Sequence, residues 1–107
     1  MDTKPKSPAA RMSLMASGHL CLEFEEAVDW DSFAQFATRF LHRIGAKVTE
    51  KGDAVDMRIW AIERGGVQLR LVYEDYPSQA SLESPSIEGD EQVRQIADLL
   101  ATPDSPP

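Results

Sequence analysis

Residues 19–33, HLCLEFEEAVDWDSF, gather one histidine, the only cysteine and five carboxylates. His19, Cys21 and Glu23 alternate along a predicted strand and would therefore share one of its faces. Zn²⁺ binds all three of these side-chain types. However, neighbours on one strand face lie about 6.5–7 Å apart at Cα, which is wide for a tetrahedral site, and no second cysteine is available. We therefore predict no metal site and no cofactor, only a solvated strand face.

Nucleophilic catalysis would need Cys21 as the nucleophile and His42 as its base. The neighbouring Glu23 and Glu25 would raise the pKa of the thiol, whereas a reactive thiolate needs it lowered. Adjacent carboxylates on a strand point to opposite faces and do not form an acid–base pair. The sequence also has no phosphate-binding loop, nucleophile elbow, dinucleotide-binding glycine pattern or zinc-finger spacing. We expect a protein that is not an enzyme, with no catalytic residue.

Length and composition indicate one small globular domain. The chain has 107 residues, of which 42% are hydrophobic and 27% are charged. No apolar segment approaches the roughly 20 residues that cross a membrane, and the N-terminus has no apolar stretch long enough for an export signal. A single cysteine agrees with a reducing compartment. We expect a cytoplasmic protein that does not bind membranes.

Charge is distributed unevenly along the chain. Residues 18–101 carry eight basic and sixteen acidic side chains, while the first seventeen residues are basic. An acidic folded domain repels phosphate, so nucleic-acid binding is disfavoured. The same surface suits a basic protein partner.

The periodicity places an α+β fold between two disordered tails, 1–17 and 102–107. Residues 19–25 alternate as a strand, and helical spacing follows, with Asp29 as the expected N-cap and Gly45 after the last turn. Strands are predicted at about 46–51, 55–63, 67–75 and 79–84, and a helix at 88–101. The order β-α-β-β-β-β-α over the domain 18–101 indicates an antiparallel sheet with both helices packed on one face.

The register of the hairpin around Arg64-Gly65-Gly66 has two solutions. A two-residue Gly65-Gly66 loop pairs Trp60 with Leu71 and directs Trp60 and Ile62 toward the core. A three-residue loop directs both of them outward instead, because a shift of one residue exchanges the two faces of a strand. In the first solution the outward group is Met57, Ile59, Ala61 and Val72.

Both registers leave large apolar side chains on a sheet face that the two helices do not cover. Such a patch is typical of a binding surface. In a homodimer the patch of one copy would bury the same patch of the other. The candidate interface residues, among which the register decides, are Met57, Ile59, Trp60, Ile62, Arg70 and Val72.

Two resemblances bear on the fold. The spacing of Trp30, Phe33 and Phe36, the helix that ends at Gly45, and the pattern L.L.YEDYP....LE over residues 69–83 resemble small uncharacterised bacterial protein families of about 100 residues. These families imply no activity. The element order resembles half of the TATA-box-binding fold in topology alone, and a fold does not carry a function.

The sequence therefore favours a small non-catalytic protein-interaction domain that binds itself or another protein through the exposed sheet face. One alternative is an acidic immunity protein or chaperone that neutralises a basic partner. Another is a ligand-binding module or enzyme with a pocket between helix and sheet, lined by Trp30, His42 or Tyr73.

Overall fold

A six-stranded antiparallel sheet with two helices on one face forms the protein. The computed structural model describes residues 9–75 and 78–101. The elements are β1 (Ala10–Leu14), β2 (Leu20–Phe24), α1 (Phe33–Ile44), β3 (Lys47–Asp53), β4 (Met57–Arg64), β5 (Val67–Asp75), β6 (Ser78–Glu83) and α2 (Ile87–Ala101). The strand order is β1-β2-β6-β5-β4-β3. The predicted α+β class and the placement of both helices are confirmed, and one strand is added at the N-terminus.

The added strand corrects the predicted N-terminal tail. Residues 10–14 form β1, which pairs with β2 in the register Met12↔Leu22. The strand ARMSL is short, and its core-side Met12 and Leu14 remain exposed. ARMSL nevertheless alternates apolar and polar residues over its five positions, which is the pattern of a half-buried strand, so the tail prediction overlooked an available signal. Residues 1–8 and 102–107, the rest of the two predicted tails, lie outside the described residues.

The β4–β5 hairpin adopts the two-residue turn. Gly65 and Gly66 have φ angles of 60° and 81°, a left-handed pair that favours glycine at both positions. Trp60 pairs with Leu71 and Ile62 with Leu69. Trp60 and Ile62 therefore point toward the helices and are buried in the core, so neither side chain is available on the outward sheet face.

Helix α1 starts later than the sequence suggested. Ser32, not Asp29, is its N-cap residue. Asp29 caps the preceding turn, because its Oδ1 accepts the Ser32 N–H at 2.8 Å while Ser32 Oγ accepts the Asp29 N–H at 2.9 Å. The helix ends as expected at Gly45, whose φ is 69°.

The core lies between the sheet and the two helices. Aromatic rings dominate the α1 side, where Phe24 meets Phe36 and Phe40 edge-on at centroid distances of 5.0 and 4.8 Å. Val93 and Ile96 of α2 are fully buried on the other side. Within residues 9–75 and 78–101, neither helix is long and apolar enough to span a membrane.

Candidate protein interface on the outward sheet face

The sheet face opposite the helices carries an apolar group on β4 and β5, which we call the outward patch: Met57, Ile59, Ala61 and Val72. Ile59 and Val72 are directly paired across β4 and β5. Val72 points outward but is only 3% exposed, so Ile59 and not Val72 offers apolar surface to a partner. On its other side Ile59 pairs with Gly52 of β3, which has no side chain to cover it. Ile59 is consequently 39% exposed, although it lies on an inner strand.

Two ion pairs flank the outward patch on the side of β1, β2 and β6. Arg11 contacts Glu23 at 2.8 Å, and Arg70 contacts Glu83 at 3.4 Å. Arg70, a predicted interface residue, therefore lies on the outward face as expected but already has an anionic neighbour. Exposed pairs of this kind contribute little to stability, so a partner could rearrange them at small cost.

Carboxylates without an opposite cation also border the outward patch. Glu50 is exposed on β3 and pairs in register with Ala61. Glu74 is exposed on β5 and lies between Met57 and Gln79. These two carboxylates place negative charge next to the apolar residues of the patch.

The structure separates the candidate metal ligands of β2. Cys21 and Glu23 are on the outward face, where Cys21 is 6% exposed and its Sγ lies 3.1 Å from Ser13 Oγ. His19 precedes the strand and turns toward α2, where its Nδ1 is 2.9 Å from Asp90 Oδ2. Among the described residues, no three His, Cys, Asp or Glu side chains come together as metal ligands would.

Cys21 and His42 cannot act as a nucleophile and its base in this fold. Cys21 points away from the helices, whereas His42 lies exposed on α1. The sheet therefore separates the two side chains, and a general base must lie within hydrogen-bond reach of the proton it removes.

His19 and Asp90 form a contact that no sequence pattern predicts. Asp90 Oδ1 accepts the Leu20 N–H at 2.9 Å, while Oδ2 contacts His19. The hydrogen bond from His19, with a second contribution from the Leu20 N–H, lowers the pKa of Asp90 to about 2. The two side chains are 71 positions apart, so only the docking of α2 against the start of β2 brings them together.

Ser84 lies near the His19–Asp90 contact, at the corner where β2, β6 and the start of α2 meet. Serine, histidine and aspartate together can form a catalytic triad, but Ser84 is not arranged as a nucleophile. Its side chain is 1% exposed, and its Oγ donates to the Ser86 carbonyl oxygen at 2.7 Å. A serine nucleophile needs an accessible Oγ whose proton is directed at the base. The corner instead ties β2, β6 and the first turn of α2 together.

The region around Trp30 and Tyr73 is packed with side chains. The Trp30 and Tyr73 rings meet edge-on at 6.3 Å, and the Arg58 guanidinium lies 4.9 Å from the Trp30 centroid. Arg58 also donates to the Trp30 carbonyl oxygen and to Asp53, both at 3.0 Å. His42, the third residue expected to line a pocket, is exposed on α1.

Within residues 9–75 and 78–101, the sheet, the helices and the outward patch define a small α+β domain in which both helices lie on one sheet face. Residues 11–101 match the model of a family described as a protein of unknown function, DUF3630. The match runs from β1 to the end of α2, and the chain belongs to this family. This confirms the resemblance to a small uncharacterised family. No curated protein and no solved structure matches the chain.

Proposed function

We propose that the protein is a non-catalytic interaction domain that binds another protein through its outward sheet face. The exposure of Ile59 on an inner strand of the sheet supports this proposal most directly. A sheet face that serves only solubility alternates apolar inward and polar outward residues. Strand β4 instead places Met57, Ile59 and Ala61 at successive outward positions.

The border of the outward patch indicates the chemistry of the partner. Glu50 and Glu74 would be desolvated without compensation by a purely apolar partner, and burying an unpaired carboxylate is costly. Lysine or arginine side chains around an apolar centre would both fill the patch and pair with these carboxylates. We therefore propose a partner whose contact surface is apolar at its centre and basic at its rim.

Matched isoleucine substitutions test the proposal. Ile59→Asp places a charge in the outward patch, whereas Ile87→Asp places the same charge at the exposed first residue of α2, where Ile87 is 77% exposed. Affinity capture from an extract of the native cells would be quantified for the unmodified protein and both variants. We expect a stoichiometric partner that Ile87→Asp retains and Ile59→Asp loses.

Capture of the same proteins in equal amounts by both variants would contradict the proposal. Circular dichroism of Ile59→Asp would verify that the variant is folded, and Ile59→Ser would replace it if it were not.

A neutralising role toward a basic target is a second candidate, favoured by the acidic border. The two roles differ in salt dependence, because surface charge pairing is screened over about 8 Å at physiological ionic strength and over about 3 Å at 1 M. A neutralising complex would weaken strongly as NaCl is raised. A complex held mainly by the apolar centre would persist.

A further inference from the structure

The free edge of β1 is chemically different from the rest of the surface. Among the described residues, β1 is the last strand of the sheet and β2 is its one neighbour. At the two ends of β1, the Glu25 N–H donates to the Ala9 carbonyl oxygen and the Met15 N–H donates to the His19 carbonyl oxygen. In this register the residues that bond toward β2 are therefore Arg11 and Ser13. Since antiparallel bonding alternates along a strand, the N–H and C=O groups of Ala10, Met12 and Leu14 point to the free edge. Nothing within the described part of the chain pairs with them.

The same residues carry an exposed apolar stripe on the helix side of the sheet. Met12 is 45% and Leu14 is 69% exposed, because α2 covers β2 and only part of β1. A groove of about 340 Å³ lies between the start of β1 and the end of α2. Its apolar lining is formed by Ala10, Met12, Leu22, Ala97 and Leu100.

The opposite edge of the sheet is protected. Strand β3 exposes Lys47, Glu50, Lys51 and Asp53, and its register is interrupted between Val48 and Glu50. Charged side chains and bulges are the usual means by which proteins prevent strand addition at an edge. β1 carries one charge, Arg11, on its outward face, and this side chain is paired with Glu23.

We propose that β1 binds β1 of a second copy, in antiparallel orientation, to form a continuous twelve-stranded sheet with both helix layers on the same side. The register is centred on Met12, so that Met12 faces its counterpart and Leu14 of each copy faces Ala10 of the other. The small Ala10 side chain leaves room for the opposing Leu14, which would enter the groove under the end of α2.

Three features favour this register. Ala10, Met12 and Leu14 would pair as hydrogen-bonded residues, which satisfies the backbone groups of the free edge. The apolar stripes would become adjacent and be removed from water. On the outward face Arg11 would lie opposite Ser13 of the second copy and diagonal to its Arg11, and each arginine is already paired with Glu23. The outward patch stays uncovered, and this proposal is independent of the proposed function.

The oligomeric state of matched variants provides the first test. Sedimentation equilibrium should give a dimer at micromolar concentration. Leu14→Asp should raise the dimer dissociation constant by at least about tenfold, equivalent to about 1.4 kcal/mol, while Ile87→Asp and Ile59→Asp should leave it unchanged. Because Leu14 is exposed in the single chain, Leu14→Asp should keep its circular dichroism spectrum. A strict monomer at high micromolar concentration, or a Leu14→Asp dimer of unchanged affinity, would overturn the proposal.

Cross-linking tests the register. In a Cys21→Ser background, Met12→Cys places two thiols across the axis on residues about 5.5 Å apart at Cα. In Ala10→Cys the Cα atoms of the two new cysteines would be about 14 Å apart, because Ala10 faces Leu14 of the second copy, four positions away from that copy's Ala10. A disulfide or a short bismaleimide bridge should form with Met12→Cys and not with Ala10→Cys. Equal cross-linking at both positions would exclude the register.

Discussion

Asp90 is the residue whose titration is most closely coupled to the fold. Its carboxylate receives the Leu20 N–H and contacts His19, and its pKa falls from 3.8 to about 2. A carboxyl group whose pKa is lower in the folded than in the unfolded state stabilises the fold above its unfolded pKa. That contribution is lost as the pH falls from about 4 toward 2.

We therefore expect Asp90→Asn to flatten the pH dependence of stability at acid pH. Urea unfolding of the unmodified protein should show a free energy of unfolding that decreases between pH 4 and pH 2, and Asp90→Asn should show a smaller decrease there. His19→Ala should show an intermediate decrease, because the Leu20 N–H remains bonded. Equal slopes for the unmodified protein and Asp90→Asn would show that the contact does not stabilise the fold.

Trp60 shows how far a single residue could be interpreted from sequence. The sequence pattern allowed Trp60 to face either side of β4, and only the length of the Gly65-Gly66 turn decided which side it faces. The side chain is 3% exposed, packs edge-on against Phe33 at 4.9 Å and lies under the Lys51 ammonium group. Its Nε1 has no hydrogen-bond partner. Packing against aromatic rings therefore holds the indole, and no sequence pattern could have specified that environment.

At the scale of elements, the start of α2 depends on a close approach between two chain segments. A Cβ added at Gly89 would lie 2.5 Å from Ser84 Oγ and 3.1 Å from Pro85 Cδ. Ser84 Oγ cannot easily move, because it is buried and bonded to the Ser86 carbonyl oxygen at 2.7 Å. Glycine is required here by space, and not by its backbone freedom.

Gly89→Ala should therefore destabilise the protein, although alanine favours helices by about 1 kcal/mol over glycine. Overpacking costs about 1–3 kcal/mol, so we expect a net loss of about 1 kcal/mol in the free energy of unfolding, measured by urea denaturation. In a Ser84→Ala background the same change should be less destabilising by about 1 kcal/mol, since the clashing oxygen is absent. A stabilised Gly89→Ala single variant would contradict the close approach.

The elements differ in how well periodicity predicted them. Helix α1 and the hairpin strands β4 and β5 were predictable because their inward residues are large and buried. β1 was assigned to a tail because its alternation covers only five residues, although Arg11 and Ser13 at its outward positions fit a strand. The outward patch could be stated only as two alternatives, since the Gly65-Gly66 turn had to be seen before the faces of β4 were known.

At the scale of the whole molecule, the net charge of −7 opposes compactness. The radius of gyration is 13.4 Å, whereas the Debye length is about 30 Å at 10 mM salt and about 8 Å at 150 mM. At low salt every carboxylate therefore interacts with every other, and at physiological salt only neighbours do. The attractive pairs are weak by comparison, because Arg11, Arg39 and Arg94 are each more than half exposed in theirs.

We expect repulsion to outweigh these pairs, so that the melting temperature rises when NaCl is increased from about 10 to about 150 mM. Circular dichroism at fixed protein concentration would measure the rise. The double variant Glu50→Lys with Glu74→Lys reduces the net charge from −7 to −3, because each reversal adds two positive charges. Both positions are exposed and face no cation across the strands, so the variant should fold and show a smaller rise. A melting temperature that falls with salt would mean that the ion pairs, and not the excess of carboxylates, dominate the electrostatic free energy of the fold.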